Sequence, residues 1–228
     1  TIGEKYAGTI QCDAYSAYTC YQNRQPADSL DLMGCLAHIR RKFHEIIEAG
    51  PHPHAALILL LIGNLYLIEA RLREAKAGPA LREAVRAAES AMIYHRLGKL
   101  MKLMLQRHRP QTPMGQALAY GIGNWERFGA YLADGRIEID NNLAENAIRP
   151  IKLGHKNWLF FGSKDAGHAG ATIYTLVENC RRHDIPVEAY LKQLLETLPG
   201  QTDETVIATL TPARIAEARR RGRKTSAA

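Results

Sequence analysis

The stretch that decides the fold is DGRIEIDNNLAENAIRPIKLGHKNWLFFGS, residues 134–163. It opens with an Asp-Gly pair, which is a turn signal. Three polar residues, Asp140, Asn141 and Asn142, can then cap the exposed N–H groups at the start of a helix. We expect this helix to cover residues 143–149, because Pro150 disfavours helical geometry at the residue before it.

This helix would carry one carboxylate, Glu145, with Arg149 one turn later. Such a pair is typical of an ordinary surface helix with a weak ion pair. An upstream run, GTIQCDAY at residues 8–15, favours a second interpretation. It is typical of a short strand that delivers Asp13 at its carboxyl end, where open α/β sheets place their sites. Glu145 is then a candidate metal ligand on a rigid helix.

The composition limits the class of protein. Lysine and arginine outnumber aspartate and glutamate by 30 to 23 among 228 residues, a net charge of +7 that favours a polyanionic partner. The four cysteines form no dense disulfide pattern and accompany no secretory signal, so we expect reduced thiols in a cytosol. The longest apolar run, residues 55–62, is too short to span a bilayer, which predicts a soluble protein. Because the chain begins with Thr1, we expect a fragment of a longer protein.

A second strand is predicted over residues 29–35, followed by a basic helix that begins at Leu36. In this helix His38, Arg41 and Lys42 stand at i, i+3 and i+4 and share one face. The face can contact phosphates or can be merely solvated, and the sequence leaves both open.

Residues 52–131 are rich in alanine and leucine and follow a helical period. The pattern predicts four helices, over residues 56–77, 79–90, 94–107 and 114–131. Trp125 and Phe128 lie on the apolar side of the fourth, which indicates core packing. We interpret this region as a helical subdomain inserted before the Asp140–Glu145 motif.

Beyond Pro150, residues 151–163 alternate cations with aromatics. This mixture suits a nucleic-acid-facing segment in which Trp158 or Phe160 packs or stacks, and it equally suits a strand or loop with its aromatics in the core. Two helices are predicted next, over residues 169–182 and 187–198. The last 28 residues, 201–228, are predicted to be a flexible basic arm that binds nucleic-acid backbone.

Phosphodiester cleavage needs divalent ions that activate the attacking oxygen and stabilise the leaving one, and Mg²⁺ takes few protein ligands. Asp13 and Glu145 can be two of these ligands, and no good third candidate is found. A competing interpretation places a zinc ion on two C-x-x-H pairs, one at Cys35 and one at Cys180, against the alternative of buried cysteines and surface histidines.

Several segments together carry a resemblance to a known family. They are CDAYSAY (12–18), GCLAHIRRKF (34–43), the 134–163 stretch, IYTLVENC (173–180) and IPVEAYL (185–191). The chain resembles the C-terminal part of insertion sequence 66 family transposases, collinearly from about Gly8 to Pro199, with D-N-N-x-A-E-x-A-I-R-P as the most specific block.

The resemblance implies an α/β fold of the Asp-Asp-Glu superfamily. The expected fold is a partial ribonuclease-H-like core, with its first strands missing and a large all-α insertion, so that the chain is predominantly helical. We expect four parts: residues 1–50 with the second Asp, 51–133 as the helical insertion, 134–200 with the catalytic Glu helix, and the 201–228 tail.

The resemblance also implies the site. Asp13 and Glu145 would be catalytic and hold Mg²⁺ or Mn²⁺, while the first catalytic Asp lies outside this chain. Candidate DNA-binding residues are His38, Arg40, Arg41, Arg149, Lys152, His155, Lys156 and Asn157. Two positions depart from the family pattern. Ala14 replaces a glycine, and His155 replaces an arginine, so a phosphate contact there loses the bidentate guanidinium.

The sequence therefore predicts the catalytic-domain fragment of a DNA transposase, which cleaves and transfers strands at insertion-sequence ends in a bacterial cytoplasm, associated with the nucleoid. Its expected partners are transposon-end and target DNA, a second copy of itself and accessory proteins of the element, with no membrane. We expect this chain alone to be inactive in transposition. The alternative is a truncated, catalytically inactive module for DNA binding or oligomerisation.

Overall fold

The computed structural model describes residues 6–13, 16–26 and 29–225. The chain divides into two compact units, Thr1–Ala144 and Glu145–Ala228. The structure does not test the predicted division into four parts, which stays a prediction.

The first unit begins with two strands joined by a helix. Strands β1 (Gly8–Gln11) and β2 (Leu30–Met33) pair in parallel, with Gly8 opposite Leu30 and Gln11 opposite Met33. Parallel strands need a crossover connection, and helix α1 (Ser16–Gln22) lies within it. Cys12, Leu30 and Leu32 form a small core on this side of the unit, so both predicted strands are confirmed.

Helices make up the rest of the first unit. They are α2 (Leu36–Ala49), α3 (Pro53–Glu74), α4 (Pro79–Val85), α5 (Ala91–Leu105), α6 (Pro113–Gly123) and α7 (Trp125–Gly129), which a 3₁₀ turn (Ala130–Leu132) follows. Helices α2, α3, α5 and α6 pack against one another around a shared core. Its fully buried side chains include Leu36, Ile39, Phe43, Ile58, Ile62, Leu65, Leu97, Met101 and Leu118.

Helix α3 is more apolar than the sequence analysis assumed. Its 22 residues pass a test for a membrane span by length and composition. The central helix of a globular core passes the same test, and Ile58, Ile62 and Leu65 of α3 are fully buried in this one. The apolar segment is therefore longer than residues 55–62, the run that the sequence analysis considered.

The helices of the first unit differ from prediction at two junctions. The single helix predicted over residues 114–131 divides at Asn124 into α6 and α7. A break was expected between Ser90 and Tyr94, but α4 continues into α5 through a π turn, Arg86–Ser90. Both ends of this turn, Arg86 and Ser90, are fully buried. A π turn adds a residue to the helical turn and re-aims the side chains that follow it, and no such local change is visible in an apolar period.

The second unit is helical. It contains α8 (Asn142–Trp158, whose first residues belong to the first unit), α9 (Lys164–Arg182), α10 (Val187–Thr197), α11 (Glu204–Thr209) and α12 (Pro212–Thr225). Cys180, Ile185, Tyr190 and Ala216 form its buried core. The predicted end of α8 at Arg149 is wrong, because the helix runs on through Pro150 to Trp158. The predicted tail carries α11 and α12, and Ala216 of α12 contributes to the core. The flexibility of the tail stays a prediction.

The described residues are thus predominantly helical and include two parallel strands, which confirms the coarse fold class. The ribonuclease-H-like core stays a prediction.

Candidate functional site

Asp13 lies at the carboxyl end of the parallel strand pair. The Cys12 N–H donates to the Met33 carbonyl oxygen at 2.9 Å, which extends the pairing one residue beyond β1. Cys12 is buried and Asp13 is half-buried, as expected for side chains that alternate along an extended chain. The structure therefore positions this carboxylate where the sequence analysis expected it.

The charge of Asp13 acts on its neighbours. Burial, and then the Asp13 carboxylate, raise the pKa of the Cys12 thiol to about 11. The same two causes raise the pKa of the Tyr18 hydroxyl. Both neighbours therefore stay neutral at physiological pH.

Helix α7 and the segment after it pack on the ends of both strands. The Gly34 N–H, just beyond β2, donates to the Arg127 carbonyl oxygen of α7 at 2.8 Å. The Arg127 guanidinium donates to the Thr19 hydroxyl of α1 at 3.3 Å. Gln11, the last residue of β1, donates its side-chain amide to the Glu138 carbonyl oxygen at 2.6 Å. The segment before α8 is therefore fastened beside Asp13's strand.

A buried arginine holds the same segment from the other side. Arg86 donates through Nε and Nη2 to the two carboxylate oxygens of Glu69, at 2.7 and 2.8 Å. Its remaining N–H groups donate to the carbonyl oxygens of Tyr131, Asp134 and Ile137, at 2.7 to 2.9 Å. Arg86 and Glu69 are both fully buried. One side chain thus binds the segment that leads to α8 at three backbone positions.

Glu138 extends this network, because its carboxylate pairs with two arginines. Arg82 donates to Glu69 at 3.0 Å and approaches Glu138 at 2.8 Å, while Arg73 donates to Glu138 at 3.2 Å. Burial acts to raise the pKa of Glu138, but hydrogen bonds and charges from Arg82 and Arg73 lower it below its usual value. Gly135 is needed beside the network, because a Cβ there would overlap the Pro79 carbonyl oxygen.

Asp140 acts at the start of α8, as its capping pattern predicts. Its carboxylate accepts hydrogen bonds from the backbone N–H of Asn142 at 3.1 Å and from the Asn142 side chain at 2.9 Å. Burial, and then Asp140, raise the pKa of Tyr66, whereas the charge of Arg40 acts in the opposite sense. Arg40, one of the predicted DNA-binding residues, thus acts electrostatically on Tyr66, as does the capping residue Asp140.

Helix α8 presents a carboxylate and three cations on one face. Glu145, Arg149, Lys152 and Lys156 stand at i, i+4, i+7 and i+11, which share one side of an α-helix. The three cations are exposed, and Glu145 is half-exposed. We call these four residues the α8 stripe. His155 and Asn157 are also exposed, at its flanks.

The opposite face of α8 is the packed one. Ala147, Ile151 and Trp158 are half-buried there, and Ala147 and Ile151 line a groove with Tyr174 of α9. This apolar contact explains why the helix tolerates Pro150, which removes one backbone hydrogen bond. The α8 stripe exists because the helix continues past the proline.

The basic face predicted on α2 is divided by its packing. Arg40 and Arg41 are exposed, but His38 is half-buried. Lys42 is also exposed, and its ammonium lies 4.8 Å from the centre of the Tyr120 ring of α6. Of the predicted face, His38 is therefore the residue that is partly withdrawn from solvent.

Among the described residues, no three His, Cys, Asp or Glu side chains come together in a group that could hold a metal ion. This finding gives no support to zinc on the two C-x-x-H pairs. Asp13 and Glu145 each carry the carboxylate oxygens that Mg²⁺ prefers as ligands.

The comparisons with known proteins agree with the resemblance. A family model described as "Transposase IS66 family" matches residues 1–169. The chain belongs to the IS66 transposase family. The match spans Asp13, Glu145 and all eight predicted DNA-binding residues.

Two similar proteins come from Sinorhizobium fredii (strain NBRC 101917 / NGR234), and both are named as uncharacterized proteins. Protein y4qI is 31% identical over 211 residues, which cover 91% of this chain and 39% of the relative. Protein y4jD is 29% identical over 211 residues, covering 91% of this chain and 41% of the relative. The IS66 chain thus spans about two fifths of the length of these relatives. No solved structure matches it significantly.

Sequence reasoning missed the Glu69–Arg86 pair of this IS66 chain. A signal was available for Glu69, because it interrupts the apolar period of α3, which is otherwise part of the core. No such period surrounds Arg86, since α4 before it has no buried residue.

Proposed function

We propose that this chain is the catalytic part of a DNA transposase that cleaves and joins strands at insertion-sequence ends, in the bacterial cytoplasm. The observation that carries the proposal is the α8 stripe, in which Glu145 shares an exposed helix face with Arg149, Lys152 and Lys156. Cations beside a carboxylate let one surface hold a DNA phosphate next to a metal ligand.

In this proposal Asp13 and Glu145 hold Mg²⁺ or Mn²⁺. The ions, when bound, supply Lewis acidity that activates the attacking oxygen and stabilises the leaving one. The chain itself would hold each of these two carboxylates in place. Asp13 extends from a paired strand, and Glu145 lies one turn into a capped helix, so neither carboxylate depends on a free loop.

The cations of the α8 stripe would contact the backbone of the DNA. Each Lys or Arg on a phosphate contributes affinity without reading sequence. Arg149 also offers the bidentate geometry that suits phosphate oxygens. The end sequence would be read elsewhere, by contacts to base edges.

The test is Glu145→Gln in the full-length protein that carries this chain. We expect strand cleavage at the element's ends in Mg²⁺ to fall at least about 100-fold, because the charge that holds the ion is lost. DNA affinity should stay within about twofold. Glu188→Gln, an exposed glutamate at the start of α10, is the matched control and should cleave normally. Normal cleavage by Glu145→Gln would remove Glu145 from the mechanism.

A second candidate is a catalytically inactive module for DNA binding or oligomerisation. The three cations of the α8 stripe favour it, because they are enough for backbone binding without any metal. The two candidates separate in one experiment on the full-length protein. The inactive module binds end DNA but does not nick it with either Mg²⁺ or Mn²⁺, whereas the enzyme does both.

A further inference from the structure

The turn between α8 and α9 exposes two large apolar side chains. Leu159 is 64% exposed and Phe160 is 73% exposed. Leu159 adopts a left-handed backbone conformation, with φ of 63°. The Leu159 N–H donates to the His155 carbonyl oxygen at 2.8 Å, and the Phe160 N–H donates to that of Trp158 at 2.7 Å. The backbone is thus held in a shape that points both residues out of the unit.

The residues around this tip are packed. The Trp158 ring meets the Phe161 ring edge-on, with centroids 4.6 Å apart, and it stacks with Tyr174 of α9 at 6.4 Å. Gly154 lies directly against Trp158, since a Cβ there would overlap the indole. The sequence left open whether Trp158 or Phe160 would stack on bases. The packing assigns Trp158 to support and leaves the Phe160 ring available.

Two lysines stand beside the tip. Lys156 lies in the last turn of α8, next to His155, and Lys164 lies in the first turn of α9. All three are exposed, and the acidic residue in the same turns is Asp165. A second copy of the chain would bring like charges together here, whereas a nucleic acid brings phosphates.

We propose that Phe160, with Leu159 beside it, stacks on unpaired DNA bases while Lys156 and Lys164 contact the flanking phosphates. This inference rests on the proposed DNA function and adds which form of DNA the tip binds. An exposed aromatic ring among cations suits single-stranded nucleic acid, because every unpaired base offers a ring face. A duplex keeps its bases stacked on one another and offers phosphates alone.

The test compares a 20-nucleotide oligothymidine with a 20-base-pair duplex, by fluorescence anisotropy with the full-length protein. Phe160→Ala should weaken binding of the single strand about 5- to 150-fold, the loss expected for one base stack. Duplex binding should change less than about twofold. Phe160→Trp should keep single-strand affinity, because the indole stacks as well. Lys156→Ala should weaken both DNA forms.

Ile173→Ala is the matched control, because Ile173 is a 54% exposed apolar residue on α9, and it should bind both DNAs normally. If Phe160→Ala binds the single strand as the wild type does, or loses both forms equally, the inference is wrong while the proposed function stands. If the wild-type protein binds neither DNA, the proposed function fails, and the inference fails with it. If size-exclusion chromatography shows that Phe160→Ala dissolves a dimer without changing single-strand affinity, the tip is a self-association surface.

Discussion

At the scale of single residues, Arg86 has the most demanding environment in the described structure. Its guanidinium is fully buried and pairs with Glu69, which is buried as well. A buried ion pair often contributes little net stability, but removal of one partner leaves an uncompensated charge. The pair also binds three carbonyl oxygens of the 131–137 segment, so its loss would release the chain that leads to α8.

We therefore predict that Arg86→Met lowers the free energy of unfolding by about 3–5 kcal/mol. Arg71→Met is the control, since the Arg71–Glu89 pair is exposed and its loss should cost about 0–1 kcal/mol. Urea titration followed by circular dichroism measures both. Equal, small losses in the two variants would show that the buried pair does not hold the segment.

At the scale of elements, α8 is the helix on which the proposed mechanism depends. Its Pro150 cannot donate the i→i−4 hydrogen bond to Asn146, yet the helix continues for eight more residues. The apolar face toward α9 offsets that cost. The α8 stripe is a consequence, because Lys152 and Lys156 align with Glu145 only in an unbroken helix.

Pro150→Ala should accordingly stabilise the protein. The substitution restores a hydrogen bond and removes a ring clash, which together are worth up to about 3 kcal/mol in a helix interior. Pro186→Ala tests the opposite case, because Pro186 precedes the first turn of α10 and loss of its fixed φ should destabilise by about 0.4–1 kcal/mol. Thermal melting reports both. A lower melting temperature for Pro150→Ala would mean that the proline shapes α8 rather than merely being tolerated.

At the scale of the whole molecule, the net charge of +7 is the property most relevant to a DNA partner. Some basic residues already pair with an acidic one, as Arg214 and Arg221 pair with the single carboxylate of Glu217 in α12. In the α8 stripe, Glu145 comes first along the helix, and no acidic residue lies between the three cations that follow it. They are the better candidates for contacts that release counterions.

We predict that DNA affinity falls with rising salt, and that Lys152→Ala reduces the slope of log affinity against log salt by about one, as does Lys156→Ala. Lys192→Ala, an exposed lysine of α10 that pairs with Glu196, should leave the slope unchanged. Titrations between about 50 and 200 mM salt at one temperature are sufficient. Slopes that match the wild type in all three variants would place the DNA contacts elsewhere.

Much of the local structure could be predicted from the sequence alone. Both strands, the start of α4 at Pro79 and the start of α10 at Val187 are confirmed. The helix break before α5, the end of α8 at Arg149 and the unbroken helix over residues 114–131 are wrong. In the first case burial of Arg86 and Ser90 overrode a local preference. In the second the half-buried face of α8, including Ala147 and Ile151, did so.

By itself, the sequence determined the family, the predominantly helical class and the place of Asp13 at a strand end. The family follows from motifs that resemble those of known members, whereas the other two follow from short-range patterns in neighbouring residues, namely alternation, helical period and capping. Only the tertiary structure decided that Glu69 binds Arg86, that Trp158 is packed while Phe160 is exposed, and that α8 passes through Pro150. Those outcomes depend on which distant surfaces meet, because burial and pairing energies between residues far apart in the chain outweigh the preferences of either segment.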